Sequence, residues 1–99
     1  MIVEIAQLNI RPGSERQFEA AFPAAIQIVG RSQGYLRHEL RRSVETPNRY
    51  VLILHWRTLE DHTVGFRGSP AFAEWRAHIM PFLEAPPAVE HFEAVAGVG

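Results

Sequence analysis

The chain has 99 residues, with ten basic and eleven acidic side chains, a formal charge of −1 and no cysteine. That length predicts one domain, 1–99, with a single small core, and the balanced charge excludes the broad positive field of a nucleic-acid binder. Without cysteine there is no disulfide framework, thiolate metal site or cysteine nucleophile. No apolar run approaches the roughly 18 residues of a membrane span, and the N-terminus lacks the basic start of a signal peptide, so the expected location is cytoplasmic.

The first element is "MIVEIAQLNI", short and rich in Ile and Val, which reads as a strand. Its two faces are Ile2, Glu4, Ala6, Leu8, Ile10 and Val3, Ile5, Gln7, Asn9. Both are apolar enough to imply cover on both sides. "RPGS" then turns the chain, and Ser14 with Gln17 matches a capping box. The helix that follows repeats apolar groups at Phe18, Phe22, Ala25, Ile26 and Val29, with Pro23 expected to kink it. After "RSQG", plain alternation in "YLRHELRRS" sets Leu36, His38, Leu40 and Arg42 against Tyr35, Arg37, Glu39 and Arg41. "VETPN" joins that strand to "RYVLILHW" as an antiparallel hairpin.

Thr58 and Asp61 form a second capping pattern, which starts a short helix through His62 and Phe66. Gly65 and Gly68 end it. Ser69 is then an N-cap and Pro70 a first helical residue, opening a helix with Phe72, Trp75, Ile79 and Met80 on its inward side. Pro81 closes it, "APP" makes a stiff turn, and "AVEHFEAV" is a final strand.

This order predicts an α+β fold: a ferredoxin-like four-stranded antiparallel sheet with helices on one face. The first and third strands carry apolar residues on both faces, so something must cover the open one. In so short a chain the simplest cover is a second copy, giving an isologous homodimer through the open sheet face.

"PGSERQFEAAF", "GYLRHELRRSVETPNRYVLILHW" and "LEDHTVGFRGSPAFAEWR" together resemble the antibiotic biosynthesis monooxygenase family, a branch of the dimeric α+β barrel superfamily. The resemblance runs from Ile2 to Val95. It rests on the Pro12-Gly13 turn, Gly34 ahead of the second strand, Trp56 closing the third, and the Leu-Glu before His62. It implies small monooxygenases that oxidise quinol or anthrone-type compounds without metal or flavin. Other members degrade haem, handle quorum signals or have no known reaction. Haem-degrading relatives need an Asn on the first strand, a Trp ending the short helix and a proximal His on the next helix. Ala6, Phe66 and Arg76 stand at those places here, and His78, two residues on, is half a helical turn away. That departure argues against haem degradation.

Cofactor-free oxygenation needs an apolar cavity, a group to hold a proton and a cation or hydrogen bond for the substrate anion. For the cavity the candidates are Phe18, Phe22, Phe66, Phe72 and Trp75, with Trp56 and Asn9 from the sheet. His62 is the candidate base, and Arg67 or Arg76 the candidate cation; of these, His62 and Arg76 are taken as the catalytic pair. Each has a plainer reading: the phenylalanines and Trp75 as core, His62 as an exposed helix residue, His78 as a surface partner of Glu74. His55 and His91 are assigned no chemistry, only a possible dimer contact for one of them. The five histidines show no H-x-H or H-x-x-x-H pair, so no metal is expected, and no cofactor. The expected partners are a small aromatic substrate, dioxygen and a second copy. The alternative function is a non-catalytic small-molecule-binding or stress-related domain that keeps the barrel, and a third is a structural dimer module with no pocket.

Overall fold

Alternating Ile, Val and Leu side chains in three segments and amphipathic spacing between them give the elements expected, in the expected order. The computed structural model describes residues 1–98. Its strands are β1 (Ile2–Asn9), β2 (Tyr35–Arg42), β3 (Arg49–Trp56) and β4 (Ala88–Phe92), and its helices α1 (Glu15–Gly30) and α2 (Pro70–Ile79). A π-helical segment, Asp61–Phe66, links β3 to α2, and a 3₁₀ turn, Met80–Phe82, follows α2. The four strands run in the order β2-β3-β1-β4, all neighbours antiparallel, which is the ferredoxin-like arrangement. No helix among the described residues is long and apolar enough to cross a membrane.

The helices cover one face. Leu8, Ile10, Tyr50, Leu52 and Trp56 from the sheet meet Phe18 and Val29 of α1 there, all essentially without solvent contact. Large side chains buried like this contribute about 1.5–3 kcal/mol each. On the opposite face Val3, Ile5, Val51 and Ile53 are only partly covered, and Phe92 is 42% exposed. His55 also points there, buried, with no hydrogen-bond partner for Nδ1.

Several local expectations need correction. Ser14 sits at the N-cap of α1 but its side chain makes no capping bond; the Gly13 N–H donates to the Glu15 carboxylate instead, at 2.8 Å. Helix α1 runs unbroken through Pro23, which lies on its exposed side. Ser69 precedes α2 as expected, yet its hydroxyl turns back to donate to the Phe66 carbonyl at 2.7 Å. Strand β4 stops at Phe92 rather than continuing to Val95. In β2 a bulge between Tyr35 and Arg37 accommodates Leu36 as an extra residue, so Tyr35, not Leu36, faces the helices with His38. Leu36 is pushed outward, 46% exposed.

Gly34 fixes where the π-helical segment lies. Its φ of +85° is one that side chains resist, and a Cβ there would stand 2.1 Å from an Asp61 carboxylate oxygen and 2.6 Å from the Asp61 Cβ. Gly34→Ala is therefore expected to cost about 2 kcal/mol or more, from the left-handed backbone and the displaced Asp61 together. Thermal melting checks this; an unchanged midpoint would show that the segment tolerates the shift.

Candidate active site

The even-numbered residues of β1 and β3 point toward the helices, so alternation alone lays Glu4, Ala6, Leu8, Leu52, Leu54 and Trp56 along one floor. His62 and Phe66 from the π-helical segment, with Phe72, Trp75 and Ile79 from α2, close the roof. Between them lies a cavity of about 470 Å³. Its exposed lining residues, Arg67, Arg76, Met80, Pro86 and Val89, form the mouth. Such a space, apolar inside with a few convergent polar groups, is what a small-molecule site requires.

The π-helical geometry determines how His62 is presented. Thr58 Oγ1 accepts from the Asp61 N–H at 3.1 Å, half of the expected capping box, and the Arg67 N–H reaches the His62 carbonyl at 3.0 Å, five residues back. The wide turn sets the His62 and Phe66 rings nearly parallel, with centroids 6.0 Å apart, and His62 stacks on Trp56 at 5.0 Å. π-Helical turns are frequent at functional sites because they re-aim side chains in this way.

Three polar groups of the cavity wall, Glu4, Trp56 and His62, meet one another, and His91 joins them from β4. The Trp56 indole N–H donates to Glu4 Oε1 at 2.9 Å, and His62 Nε2 lies 3.3 Å from the same oxygen. His62 Nδ1 lies 2.7 Å from His91 Nε2. His91 is the residue of β4 directly opposite Glu4 of β1, so the sheet register brings the carboxylate and both imidazoles together. Glu4 and His62 are buried, 6% and 3% exposed, while His91 is half-buried. Burial raises the Glu4 carboxyl above its usual range, against the lowering by the Trp56 hydrogen bond and the Arg67 charge. Burial, the Arg67 charge and His91 together push His62 down to about 4, so its ring is neutral at pH 7. His91 is lowered too, by burial and Arg67.

The residues singled out from sequence divide accordingly. Trp56, His62, Phe66, Arg67, Phe72, Trp75 and Arg76 all line the cavity, with the Arg76 guanidinium 5.7 Å over the Phe72 ring. Asn9 does not: it lies on the odd-numbered face of β1, where its side-chain oxygen accepts from Arg49 Nε at 3.2 Å. Phe22 does not either; it packs in the core against Phe18, His38 and Trp75. Phe18 is likewise core, held edge-on against Tyr50 and Phe82. His78 is exposed and faces the Glu74 carbonyl at 2.9 Å.

Sequence reasoning missed Glu4 and gave His91 no role. The signal for Glu4 was present: it is the one charged residue on a strand face otherwise made of Ile2, Ala6, Leu8 and Ile10. His62 also differs from expectation. It is buried rather than exposed, and both its ring nitrogens lie against other side chains of the protein.

Residues 1–78 match the family model described as antibiotic biosynthesis monooxygenase. The chain is 44% identical over 95 residues to the uncharacterised protein YczJ of Bacillus subtilis, covering 96% of this chain and 100% of that protein. It is 28% identical over 98 residues to a mycobilin-producing haem oxygenase of Mycobacterium tuberculosis, covering 99% and 92%. Among solved structures, a Bordetella bronchiseptica protein assigned to antibiotic biosynthesis monooxygenases superposes with a TM-score of 0.90 at 39% identity, over 95% of this chain and 96% of that one. SnoaB, a cofactor-independent oxygenase from Streptomyces nogalater, superposes with a TM-score of 0.78 at 21% identity, over 98% and 95%, a likeness of fold.

Proposed function

The chain belongs to the antibiotic biosynthesis monooxygenase family, and from that premise we propose that it is a cofactor-independent monooxygenase of electron-rich aromatic or quinol-type substrates. The observation that carries the reading is the Glu4–Trp56–His62 cluster on the wall of an apolar cavity, backed by His91, with Arg67 and Arg76 at the mouth. An anthrone-type carbon acid bound there loses a proton to the Glu4–His62 pair. Its anion, held by the arginine charges in a site poor in water, gives one electron to dioxygen. Recombination of the resulting radical with superoxide forms the C–O bond, and protonation gives a hydroperoxide. Loss of the second C–H proton and of hydroxide leaves the ketone and one water. One dioxygen is consumed, one oxygen atom enters the substrate, and the electrons come from the C–H bonds oxidised.

Haem does not fit this cavity as a ligand-bound group. Arg76 stands on α2 where a proximal histidine would be needed, and the nitrogens of His62 are both taken. The relation to the mycobilin-producing enzyme is therefore read as one of ancestry and fold.

Oxygen uptake by metal-stripped protein with a panel of anthrones and hydroquinones tests the proposal. Uptake that needs the protein but neither metal nor flavin is expected. Saturable binding of the same compounds without any uptake would favour a ligand-binding domain instead.

The partly covered apolar face of the sheet supports a homodimer with two-fold symmetry as the working unit, His55 Nδ1 gaining its partner from the second copy. Sedimentation is expected to show a dimer that Ile53→Arg, a charge set in the middle of that face, reduces to monomer. A monomeric wild-type protein would overturn the assignment.

A further inference from the structure

Glu4, His62 and His91 form a line, and what lies at each end suggests its use. At the inner end Glu4 is the only carboxylate on the cavity wall among the described residues. Both of its polar contacts among the described residues, Trp56 Nε1 and His62 Nε2, fall on Oε1, which leaves Oε2 to a bound molecule. At the outer end His91 is half-buried on β4, which pairs with β1 alone and is an edge of the sheet. His91 Nε2 faces His62, so Nδ1 is the nitrogen left to water. Arg67 is the charged group facing all three from the mouth, and its field opposes a resident imidazolium at either histidine.

We propose that Glu4 is the catalytic residue that takes the substrate proton, and that His62 and His91 are positioning residues that carry it to solvent at the β4 edge. The proposal rests on the reading of the cavity as an oxygenase site. The proton arrives at Glu4 Oε2 while the electron pair stays on the substrate. Rotation about the terminal carboxyl torsion, which is soft, presents the proton to His62 Nε2. In the tautomer with Nδ1 of both rings protonated, which a protonated Glu4 favours because His62 Nε2 then accepts from it, His62 passes its Nδ1 proton to His91 Nε2, and His91 releases its own Nδ1 proton to water. One proton enters and one leaves, and no lasting imidazolium is formed. The reverse passage supplies the proton that the peroxide needs. A neutral His62 suits this role, because a ring that carries a relay must both accept and donate.

Anaerobic rapid mixing with 1,8-dihydroxyanthrone tests the acceptor separately from oxygen chemistry. Quenching of Trp56 and Trp75 fluorescence reads binding, anthrone-anion absorbance reads ionisation, and a pH indicator in weak buffer reads proton release. In the wild type, ionisation and release are expected together. Glu4→Gln should bind the anthrone but ionise it roughly 10²-fold more slowly or worse. His91→Phe should ionise it, while release lags until imidazole is added to the solution. Wild-type ionisation by Glu4→Gln overturns the acceptor role, and undelayed release by His91→Phe overturns the exit. Anaerobic ionisation with no oxygen uptake in air leaves the relay standing and overturns the oxygenase reading.

The relay is also read in the free protein, whether or not the anthrone binds, by ¹⁵N imidazole spectra. His62 Nδ1 should exchange a hydrogen bond with His91, and its resonance should move in His91→Phe. A His62 spectrum unmoved by that substitution overturns the proposal.

Discussion

Replacing His62 by alanine is expected to lower oxygen uptake by about 10² to 10⁴-fold, the range usually supplied by a positioned acid–base group. The substitution removes the ring that stacks on Trp56, the 3.3 Å contact with Glu4 and the 2.7 Å contact with His91 at once. Glu4 keeps the Trp56 hydrogen bond, so it remains in place but loses its route for emptying. Because the lost contacts matter after the substrate is bound, kcat and kcat/KM should fall together with KM little changed. The fold should survive: a void this size beside a buried carboxylate costs roughly 1–3 kcal/mol, and His62 lies on the helix face, away from the open face of the sheet. The decisive measurement is steady-state uptake beside a thermal melt and sedimentation. Undiminished turnover would remove His62 from the mechanism. Loss of the folded state would shift the question to His62→Gln, which keeps a polar side chain of similar reach.

The contrast between what was readable and what was not follows from parity. Strand and helix periods are local, so β1, α1, the β2–β3 hairpin and the helices after it could be placed from their own residues. Which face of β1 meets the helices could not, because Val3 and Ile5 on one side look as apolar as Ala6 and Leu8 on the other. Asn9 was assigned to the cavity for want of that one bit of information. The Leu36 bulge reverses parity within β2 in the same way, and nothing in "YLRHELRR" marks it. His91 is harder still. Its partnership with Glu4 depends on the register between the first and last strands, which are separated by almost the whole chain. The capping signals were legible as positions but not as bonds: Thr58 caps, while Ser14 and Ser69 hold the right places with their hydroxyls unused for capping. Cavity residues on the short helix and α2 were found because aromatic side chains at helical spacing face inward whether they pack a core or line a pocket.

Stability is expected to fall as the pH drops from about 6.5 to 4, and the histidines are the cause. His62 is held down to about 4 in the folded protein, whereas in the unfolded chain it titrates near 6.5. Between those values the unfolded state binds a proton that the native state refuses. The stabilisation is thus fully present above pH 6.5 and is lost on acidification, to the extent of about 3 kcal/mol. His91 and the buried His55 are lowered as well and act with the same sign. Glu4 acts against them. Its folded pKa is raised, so its contribution is present at low pH and is lost as the pH rises through the native value. The His62 shift is the large one among the four, so the net slope should be a loss. Urea unfolding at pH 7.5 and 4.5, at one fixed protein concentration, measures it. Two variants then separate the opposing contributions. His62→Gln cannot be protonated in either state, so its two midpoints should lie closer together than those of the wild type. Glu4→Gln removes the opposing carboxyl, so its midpoints should lie further apart. Equal spacing in wild type and His62→Gln would mean that His62 takes up its proton alike in both states. A ring that readily charged in its pocket would be held as imidazolium against Glu4, and the carboxylate would be a weaker acceptor for a substrate proton.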